Sequence, residues 1–488
     1  MNKVILVGLD GFRPDMMTAT LTPHLLALSN EGVLFTRHRS VFPSETYVNV
    51  ASIMTGTAPA GHGIVANEFL DPKIDPREPW IGSRVEMVEA GVAAYAGALM
   101  TAPTLGDRLA KCGKSFWAFG GGSPGSARLI HPLVAKHPDH LLFVGQDWRA
   151  SSPQGRAAEI VGRLGEPPAP SRSGSNLPIQ RYLTEAFLLL AADEPLPDAT
   201  VLWFGEPDHA YHTLGLGAEP TLEALNALDL EVGRLIDWWR GRPDHDRIQF
   251  LVTSDHGHVT QTRAVDTATL LTDAGFRVGR HLEAGAELAL VPGYCGNIRV
   301  RNGDEGLIVA TAQALMAHSD IGLIFTRSGQ GPEGIVPGTF SQSFISSEHP
   351  RSADVVFTLH ADDDTDPFGF IGTCRCDNAL PAGAGIHGGL HPAEMSPLLI
   401  AAGSAFGGGF LSDAPSSVID ILPTILELLR ESAGGCEGRS LEEAFADPGA
   451  PPETTSESVV VSEGHYRQEL HSYSLGTRRI LDHGKRVA

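Results

Sequence analysis

Four hydroxyl side chains are concentrated in one short segment of the chain. The segment is VFPSETYVNVASIMTG, and its hydroxyls before the final glycine belong to Ser44, Thr46, Ser52 and Thr55. A hydroxyl is a weak nucleophile at neutral pH unless a base or a metal ion takes its proton. If one of these side chains is catalytic, carboxylates or imidazoles from elsewhere in the chain must activate it.

Aspartate and histidine side chains recur directly after apolar runs that read as buried strands. Asp10 follows KVILVGL, Asp208 and His212 follow ATVLWF, and Asp255 and His256 follow RIQFLVTS. The four-residue spacing of Asp208 and His212 places both on one face of a helical turn. The repetition of one arrangement at several strand ends indicates a shared site.

The residue types at these positions are those of a metal site. His387, in the glycine-rich segment GIHGG, adds a further imidazole. Carboxylates and neutral imidazoles bind zinc, manganese or iron ions, and two such ions can hold the attacking and leaving oxygens of a phosphoryl group. A single aspartate after a strand is more often a helix cap. The combination therefore predicts a metal-dependent hydrolase.

Several neighbouring residues are predicted to lie outside the ligand set. His209, His258 and His391 flank the candidate ligands in sequence, and we expect them to support the ligands or lie at the surface. Cys374 and Cys376 form a CxC pair, which is more often two ordinary strand residues than a metal site.

Alternating strands and helices must position these side chains. The segments KVILVGLDG, ATVLWF, RIQFLVTS and SPLLIAAG read as strands, and TPHLLALSNEGVLF, TLEALNALDLEVGRLIDWW and SVIDILPTILELL show helical spacing. This alternation predicts an α/β fold with a mostly parallel central sheet flanked by helices. Ligands of such sheets bind beyond the carboxyl ends of the strands, where the acids and histidines collect.

The predicted core is interrupted by segments of different character. Residues 1–261 and 381–445 contain all the candidate ligands and are predicted to form the catalytic α/β core. Residues 262–380 lack Asp/His clusters at strand ends and are predicted to form an inserted α+β cap subdomain. Residues 446–488 are predicted to form a C-terminal tail with a hairpin, and the Pro-, Ser-, Arg- and Gly-rich residues 140–180 a surface excursion.

Composition limits the partners and the location that we expect. The 488 residues are 42% hydrophobic and have a net charge of −22, which argues against disorder and against a nucleic-acid polymer as partner. A small phosphorylated or phosphonate substrate remains compatible, because metal ions supply positive charge locally. We expect no signal peptide, no membrane span and a reduced, cytoplasmic setting. A homo-oligomer is neither indicated nor excluded.

Five motifs occur in an order that matches a known family. They are LDGFRPD, FPSETYVNVASIMTGTAPAGHGIVAN, PDHAYHTLG, SDHGH and GIHGGLHPAEMSPLLIAAG. In this order they resemble the alkaline phosphatase superfamily, and most of all its nucleotide pyrophosphatase/phosphodiesterase (type I phosphodiesterase) branch. The resemblance covers residues 1–70, 200–260 and 385–430. It implies an alkaline-phosphatase-like core and hydrolysis of phosphodiester or nucleotide pyrophosphate bonds.

The resemblance also implies a role for each candidate residue. Thr46 corresponds to the nucleophile, and the amide of Asn67 with the backbone N–H of Tyr47 would bind a phosphoryl oxygen. Two divalent metal ions are implied; zinc is favoured, and manganese or iron are alternatives. The implied ligands are Asp10, Thr46, Asp255 and His256 for one ion, and Asp208, His212 and His387 for the second, which keeps an open position for substrate or water.

The implied mechanism has two steps. Thr46 attacks phosphorus and forms a covalent phospho-threonine, and a water on the second metal then attacks from the opposite side, so that configuration at phosphorus is retained. The other three hydroxyls of the opening segment would then be structural.

The substrate class remains open at this stage. Tyr47 resembles an aromatic residue that stacks on a nucleotide base, although it could equally cover the metal site. Phosphonoacetate hydrolase resembles the chain over the same motifs, but its paired lysines are missing here and Arg128 is the only cation in GGGSPGSARLIHP. A phosphomonoesterase would need an added cation. A catalytically inactive binding protein is disfavoured, because every ligand position holds a competent residue.

Overall fold

The computed structural model describes residues 2–283 and 285–487, and its centre is an eight-stranded sheet. Met1, Ala284 and Ala488, which the predicted segments include, lie outside the described residues. The spatial order of the strands is Phe410–Ser412, Val33–Phe35, Leu399–Ala402, Ile248–Thr253, Lys3–Leu9, Ala199–Phe204, Phe116–Gly120 and Leu141–Val144. The last five strands in this order are mutually parallel. The predicted α/β fold with a mostly parallel sheet is confirmed.

The strand Lys3–Leu9 lies at the centre of the sheet and is buried on both faces. Its residues alternate between two apolar cores: Val4 and Leu6 belong to one, and Ile5, Val7 and Leu9 to the other. Later parts of the chain add parallel strands on both sides of it: Ile248–Thr253 on one side and Ala199–Phe204 on the other. Such a switch point opens a crevice at the carboxyl end of the strand, and this is where Asp10 follows.

One strand of the central sheet runs opposite to its neighbour. Leu399–Ala402 is antiparallel to Ile248–Thr253, and Leu399 lies opposite Thr253. The residues that precede this strand therefore lie at the same edge as the residues that follow the parallel strands. This direction brings the segment around His387 to the edge that holds the other candidate ligands.

Helices flank the central sheet within the described ranges, and two others, Thr267–Asp273 and Glu305–Met316, pack instead with strands of the predicted insertion. The α-helices are Pro23–Glu31, Thr46–Thr55, Pro59–His62, Val85–Ala94, Leu105–Lys111, Pro124–Ile130, Gln154–Leu164, Leu177–Asp193, Asp208–Leu214, Glu219–Arg240, Thr267–Asp273, Glu305–Met316, Pro392–Met395 and Ile421–Leu428. No helix in this part of the chain combines the length and hydropathy needed to cross a membrane.

Additional sheets lie mainly in the predicted insertion and tail. A six-stranded sheet contains, in spatial order, Val278–Gly279, Leu288–Val291, Cys295–Val300, Val355–Leu359, Ile321–Thr326 and Phe340–Ser341. A four-stranded sheet contains Ala361–Thr365, Ile371–Cys376, Val259–Ala264 and Gly385–Ile386. The tail forms a three-stranded antiparallel sheet of Thr455–Glu463, Tyr466–Leu475 and Arg478–Arg486. Two-stranded pairs join His38–Arg39 to Ser416–Ser417 and Glu68–Phe69 to Trp80–Ile81.

The insertion is thus continuous with the core at its first strand. Val259–Ala264 crosses the predicted boundary between residues 261 and 262, and it pairs both with Ile371–Cys376 and with Gly385–Ile386. The division into domains stays a prediction, since the sheet that joins them belongs to both.

The central strand leaves no room for a side chain at Gly8. A Cβ atom there would lie 2.1 Å from Cε3 of Trp203, which is fully buried in the neighbouring strand. We expect Gly8→Ala to destabilise the protein by about 1–3 kcal/mol, because the indole would have to move within a packed core. The measurement is the shift in the urea denaturation midpoint.

The matched control is Gly162→Ala in the helix Gln154–Leu164, where an added Cβ meets nothing within 4 Å. That change should stabilise the protein by about 0.5–1 kcal/mol. Equal effects of the two substitutions would contradict the packing argument.

Candidate metal centre

Three parallel strands deliver acidic residues to one edge of the central sheet. Asp10 follows the central strand, Asp255 and His256 follow Ile248–Thr253, and Asp208 begins a helix just after Ala199–Phe204. The backbone N–H of Asp208 donates to the carbonyl of Asp10 at 3.0 Å, which fixes the two segments relative to each other. The predicted convergence at the carboxyl ends of the strands is found.

The first group of donors, which we call the oxygen-rich cluster, consists of Asp10, Asp255, His256 and Thr46. The ligand atoms of the first three lie within 4.8 Å of one another. The Thr46 hydroxyl donates to Asp10 Oδ1 at 3.4 Å and lies 3.1 Å from His256 Nε2. All four residues are buried. Their arrangement is that of a mononuclear ligand set with a hydroxyl at its edge.

The second group, which we call the histidine-rich cluster, consists of Asp208, His212, His387 and His258. The Nε2 atoms of His212 and His387 lie 3.2 and 3.4 Å from Asp208 Oδ1. His258 lies closer still, at 3.0 Å. The sequence predicts that His258 supports the ligands or lies at the surface, whereas the structure places it in the cluster.

The two clusters adjoin. The rings of His256 and His387, one from each cluster, stack with centroids 3.7 Å apart and an interplanar angle of 15°. Two ions held in these clusters would therefore be neighbours, as a two-metal hydrolase requires.

The electrostatics of the oxygen-rich cluster calls for a cation. Burial raises the pKa of Asp10 well above its usual value, and the carboxylates of Asp255 and Asp208 raise it further. Burial also raises the pKa of Asp255.

In the histidine-rich cluster burial works against charge, but Asp208 still raises the pKa of His212, and His212 with His258 lowers that of Asp208. Burial lowers the pKa of His387 well below its usual range and that of His258 to about 3. Bound cations would favour ionised carboxylates and neutral imidazoles, the forms that bind metal.

Hydrogen bonding orients the imidazole lone pairs toward the carboxylates. Each ring uses Nδ1 to donate to a backbone carbonyl, so in the neutral ring Nε2 carries the lone pair. The distances are 3.0 Å from His256 to Gly257, 2.7 Å from His212 to Gly385 and 2.9 Å from His387 to Ser44. The buried atoms Asp208 Oδ1 and Asp255 Oδ2 have no hydrogen-bond partner among the described residues. Lone pairs converging on unpartnered carboxylate oxygens fit metal ions.

Two further buried carboxylates hold the loops that carry the ligands. Glu394 accepts hydrogen bonds from the backbone of Gly389 and His391, each at 2.9 Å, and from the Tyr294 hydroxyl at 3.0 Å. Glu206 accepts from the backbone of Ala210 at 3.1 Å, and its other oxygen accepts from the backbone of Asn176. Burial raises the pKa of both side chains to about 7. The sequence analysis missed both, because an isolated glutamate gives no local signal.

The predicted phosphoryl-oxygen donors contact each other. The Tyr47 N–H donates to Asn67 Oδ1 at 2.9 Å, and the backbone N–H of Asn67 donates to Glu45. The amide nitrogen of Asn67 can therefore still donate its two hydrogens to a ligand. Tyr47 itself packs on Gly82, where an added Cβ would lie 2.2 Å from the ring.

The remaining hydroxyls of the opening segment make structural hydrogen bonds. Ser44 donates to the Gly389 carbonyl at 2.9 Å, Ser52 contacts His62 Nε2 at 2.9 Å, and Thr55 donates to the carbonyl of Ala51, one turn earlier, at 2.7 Å. Among the four, Thr46 alone contacts the predicted ligands.

A cavity of about 500 Å³ opens beside the two clusters. Asp10, Thr46, Tyr47 and Asp208 line it, together with His209. The rest of its lining is mostly polar and includes Ser123, Ser126, Gln146, Ser171, Arg172 and Asn176. Within the described residues, no part of the lining comes from the predicted cap, residues 262–380. The surface excursion contributes to the lining instead.

Arginine placement differs from the sequence-based expectation. Arg128 does not line the cavity: its guanidinium lies 3.2 Å from Glu89 and donates to the Ala150 carbonyl at 3.0 Å. Arg172 does line the cavity, is exposed, and has no ion-pair or hydrogen-bond partner in the part of the chain that the structure describes. In the sequence, Arg172 is distinguished only by its position in residues 140–180, which are predicted to form a surface excursion.

Other side chains considered in the sequence lie outside the clusters. His391 caps the short helix Pro392–Met395 and lies 3.2 Å from Asp363. Cys374 and Cys376 are buried residues of one strand. A second cavity, of about 560 Å³, lies beside the C-terminal sheet and is not lined by any cluster residue.

Comparison with known proteins identifies relatives of the chain. A family model described as type I phosphodiesterase / nucleotide pyrophosphatase matches residues 4–362. A venom phosphodiesterase of Naja atra is 25% identical over 262 residues, which are 52% of this chain and 26% of that protein. Human ectonucleotide pyrophosphatase/phosphodiesterase family member 5 is 22% identical over 88% of this chain and 75% of its own length.

A solved structure shares the fold. It is murine ectonucleotide pyrophosphatase/phosphodiesterase 5, an inactive threonine-to-alanine form in complex with AMP. The TM-score is 0.63 at 18% identity, and the match covers 91% of this chain and all of that one.

Melting temperatures measured with and without metal test the centre, because loss of a ligand should have opposite effects on stability in the two conditions. In the presence of a chelator, we expect Asp255→Asn to unfold at the same temperature as the wild type or at a higher one. The substitution removes one buried negative charge, and the amide oxygen can still accept the hydrogen bond from Gly11. With zinc added, the rise in melting temperature should be smaller in the variant, because a ligand is weakened. The control is Asp237→Asn, an exposed helical residue. Equal metal-induced rises in variant and wild type would contradict the predicted site.

Proposed function

The chain belongs to the type I phosphodiesterase / nucleotide pyrophosphatase family, and from this we propose that it hydrolyses phosphodiester or nucleotide pyrophosphate bonds with Thr46 as nucleophile. Two divalent metal ions, preferably zinc, are part of the proposal. The observation that carries it is the contact of the Thr46 hydroxyl with Asp10 and His256, members of one candidate metal cluster.

The position of Thr46 in its helix suits an incoming phosphoryl group. Thr46 is the first residue of the helix Thr46–Thr55, so the N–H end of the helix and the positive end of its dipole lie at a group bound to its hydroxyl. The murine relative named above gives independent support, since a threonine-to-alanine form of it is described as inactive and is bound to AMP.

The chain's own residues would perform the reaction as follows. When bound, the metal ions would neutralise the carboxylates and lower the pKa of the Thr46 hydroxyl. Thr46 Oγ1 attacks phosphorus in line, and the bond from phosphorus to the leaving oxygen breaks. Water then attacks the phospho-threonine from the opposite side and releases Thr46. Two inversions leave the configuration at phosphorus unchanged.

Asn67 and Tyr47 are the proposed donors to a phosphoryl oxygen. Tyr47 follows Thr46 in the chain, and its N–H donates to Asn67 Oδ1 at 2.9 Å. A substrate oxygen that takes over this N–H would require the Asn67 side chain to rotate and present its amide nitrogen. Such fixed donors stabilise the charge that develops on the phosphoryl oxygens.

The cavity favours substrates with a second anionic group. The ring of Tyr47 offers an apolar face for a base, and the remaining lining is polar and includes the unpaired Arg172. A guanidinium binds phosphate or carboxylate oxygens through charge-assisted hydrogen bonds. Nucleotide pyrophosphates meet both features. Phosphonoacetate, whose carboxylate Arg172 would also suit, is the second candidate.

Replacing the proposed nucleophile should separate chemistry from metal binding. We expect Thr46→Ala to lower turnover by about 10³-fold or more, since the covalent step is lost, while two metal equivalents remain bound. Thr46→Ser should retain part of the activity. The control is Thr55→Ala in the same helix. Acid quenching followed by peptide mass analysis should detect phosphate on Thr46 in the wild type. Normal turnover of Thr46→Ala would remove Thr46 from the mechanism.

Arg172 should affect only substrates that carry an additional charge. We expect Arg172→Gln to raise KM about 10-fold or more for a nucleoside triphosphate, the equivalent of one charge-assisted hydrogen bond. KM for bis(nitrophenyl) phosphate should not change, and Arg181→Gln, at a position that does not line the cavity, should affect neither. A substrate panel including phosphonoacetate and nitrophenyl phosphate separates the candidates. A preference for phosphonoacetate would replace the nucleotide proposal, and an equal effect on all substrates would contradict the role of Arg172.

A further inference from the structure

His258 lies at the centre of the histidine-rich cluster although its sequence motif did not predict it as a ligand. Its Nε2 atom is 3.0 Å from Asp208 Oδ1, and the ring is fully buried. The backbone is shaped to admit the ring: Gly11 has a φ of +71°, and a Cβ there would lie 2.4 Å from Cε1 of His258. Glycine is therefore required at this position both for its backbone conformation and for space.

The orientation of the His258 ring is fixed by its other nitrogen. Nδ1 lies 3.2 Å from the Gly11 carbonyl, which can only accept, so Nδ1 carries the proton and Nε2 presents a lone pair in the neutral ring. His212 and His387 are fixed in the same way, with backbone carbonyls at 2.7 and 2.9 Å. Three imidazole lone pairs therefore point at one carboxylate oxygen. One proton on an Nε2 atom would give a hydrogen bond between one ring and Asp208 Oδ1, but it would leave the other two lone pairs without a partner.

The spacing of the four donor atoms matches a metal-ligand shell. Asp208 Oδ1 lies 3.0, 3.2 and 3.4 Å from Nε2 of His258, His212 and His387. Four donors placed tetrahedrally around zinc at about 2.0–2.1 Å would be about 3.3 Å apart. Asp208 Oδ1 and His258 Nε2 are both buried and have no hydrogen-bond partner among the described residues.

We propose that His258 is a fourth protein ligand of the metal ion held by Asp208, His212 and His387. This inference rests on the proposed two-metal function and concerns only the makeup of one site. The two sites then differ in chemistry: one offers three nitrogens and one oxygen, and the other offers one nitrogen with carboxylate and hydroxyl oxygens.

Two consequences follow from four protein ligands. Four donors fill a tetrahedral shell, so a substrate oxygen or a water must enter as a fifth ligand, which zinc accommodates in reacting complexes. The nitrogen-rich site also prefers zinc, cobalt or copper over magnesium, whereas the oxygen-rich site accepts manganese more readily. The first equivalent of a borderline metal should therefore occupy the histidine-rich cluster.

Cobalt titration of the full-length protein after chelation tests the proposal. We expect the wild type to bind two equivalents, the first of them with the visible spectrum of a nitrogen-rich site. His258→Gln and His258→Met should change the spectrum of this equivalent, because one nitrogen ligand is lost, and should also lower its affinity. The oxygen-rich site should keep its affinity. His131→Gln, which removes a buried imidazole outside both clusters, controls for packing.

The outcomes separate this inference from the proposed function. An unchanged cobalt spectrum in both His258 variants, with or without a loss of affinity, would overturn it and leave His258 as a residue that orients Asp208. A wild type that binds fewer than two equivalents would instead overturn the two-metal function. The melting temperature of each metal-free variant identifies unfolding, and His258→Met preserves apolar volume should His258→Gln fail to fold.

Discussion

The electrostatic repulsion among Asp10, Asp208 and Asp255 is the constraint on which the rest of the site depends. Carboxylates that share a buried crevice cannot all ionise without a counter-charge. No lysine or arginine of the described chain forms an ion pair with any of the three. Burial lowers the pKa of His258 and His387, so these imidazoles supply little counter-charge. His212, whose pKa Asp208 raises against the effect of burial, offsets the charge of Asp208. The site is thus built for metal ions, and metal affinity contributes to folding stability.

The positions of the ligands are held by the loops as much as by the strands. The central sheet places the aspartates, but the imidazoles come from segments that buried glutamates hold in place. Glu394 binds the backbone around the His387 loop, and Glu206 connects the helix of Asp208 and His212 to the excursion that lines the cavity. A change far from the metal ions can therefore alter their geometry, since misplacement by a fraction of an ångström reduces binding and rate.

Under the proposed function, substrate choice depends on the surface excursion rather than on the predicted cap. The insertion forms its own sheets, yet the lining of the reaction cavity comes from residues before 210 within the described ranges. The excursion places Arg172 at the cavity of a protein with a net charge of −22. Under the proposed function, an exposed cation in that setting would attract an anionic substrate toward the metal centre.

The sequence by itself determined the α/β class, the nucleophile candidate and seven predicted ligands that the structure brings together. Strand ends are visible locally, and parallel strands bring their carboxyl ends to one edge whatever connects them. Only the tertiary structure decided which further groups join the site. His258 meets Asp208 because the loop after Ile248–Thr253 turns back across Gly11, and Arg172 replaces Arg128 because Glu206 holds the excursion over the cavity. These placements depend on contacts between segments distant in sequence, which no local pattern of residues specifies.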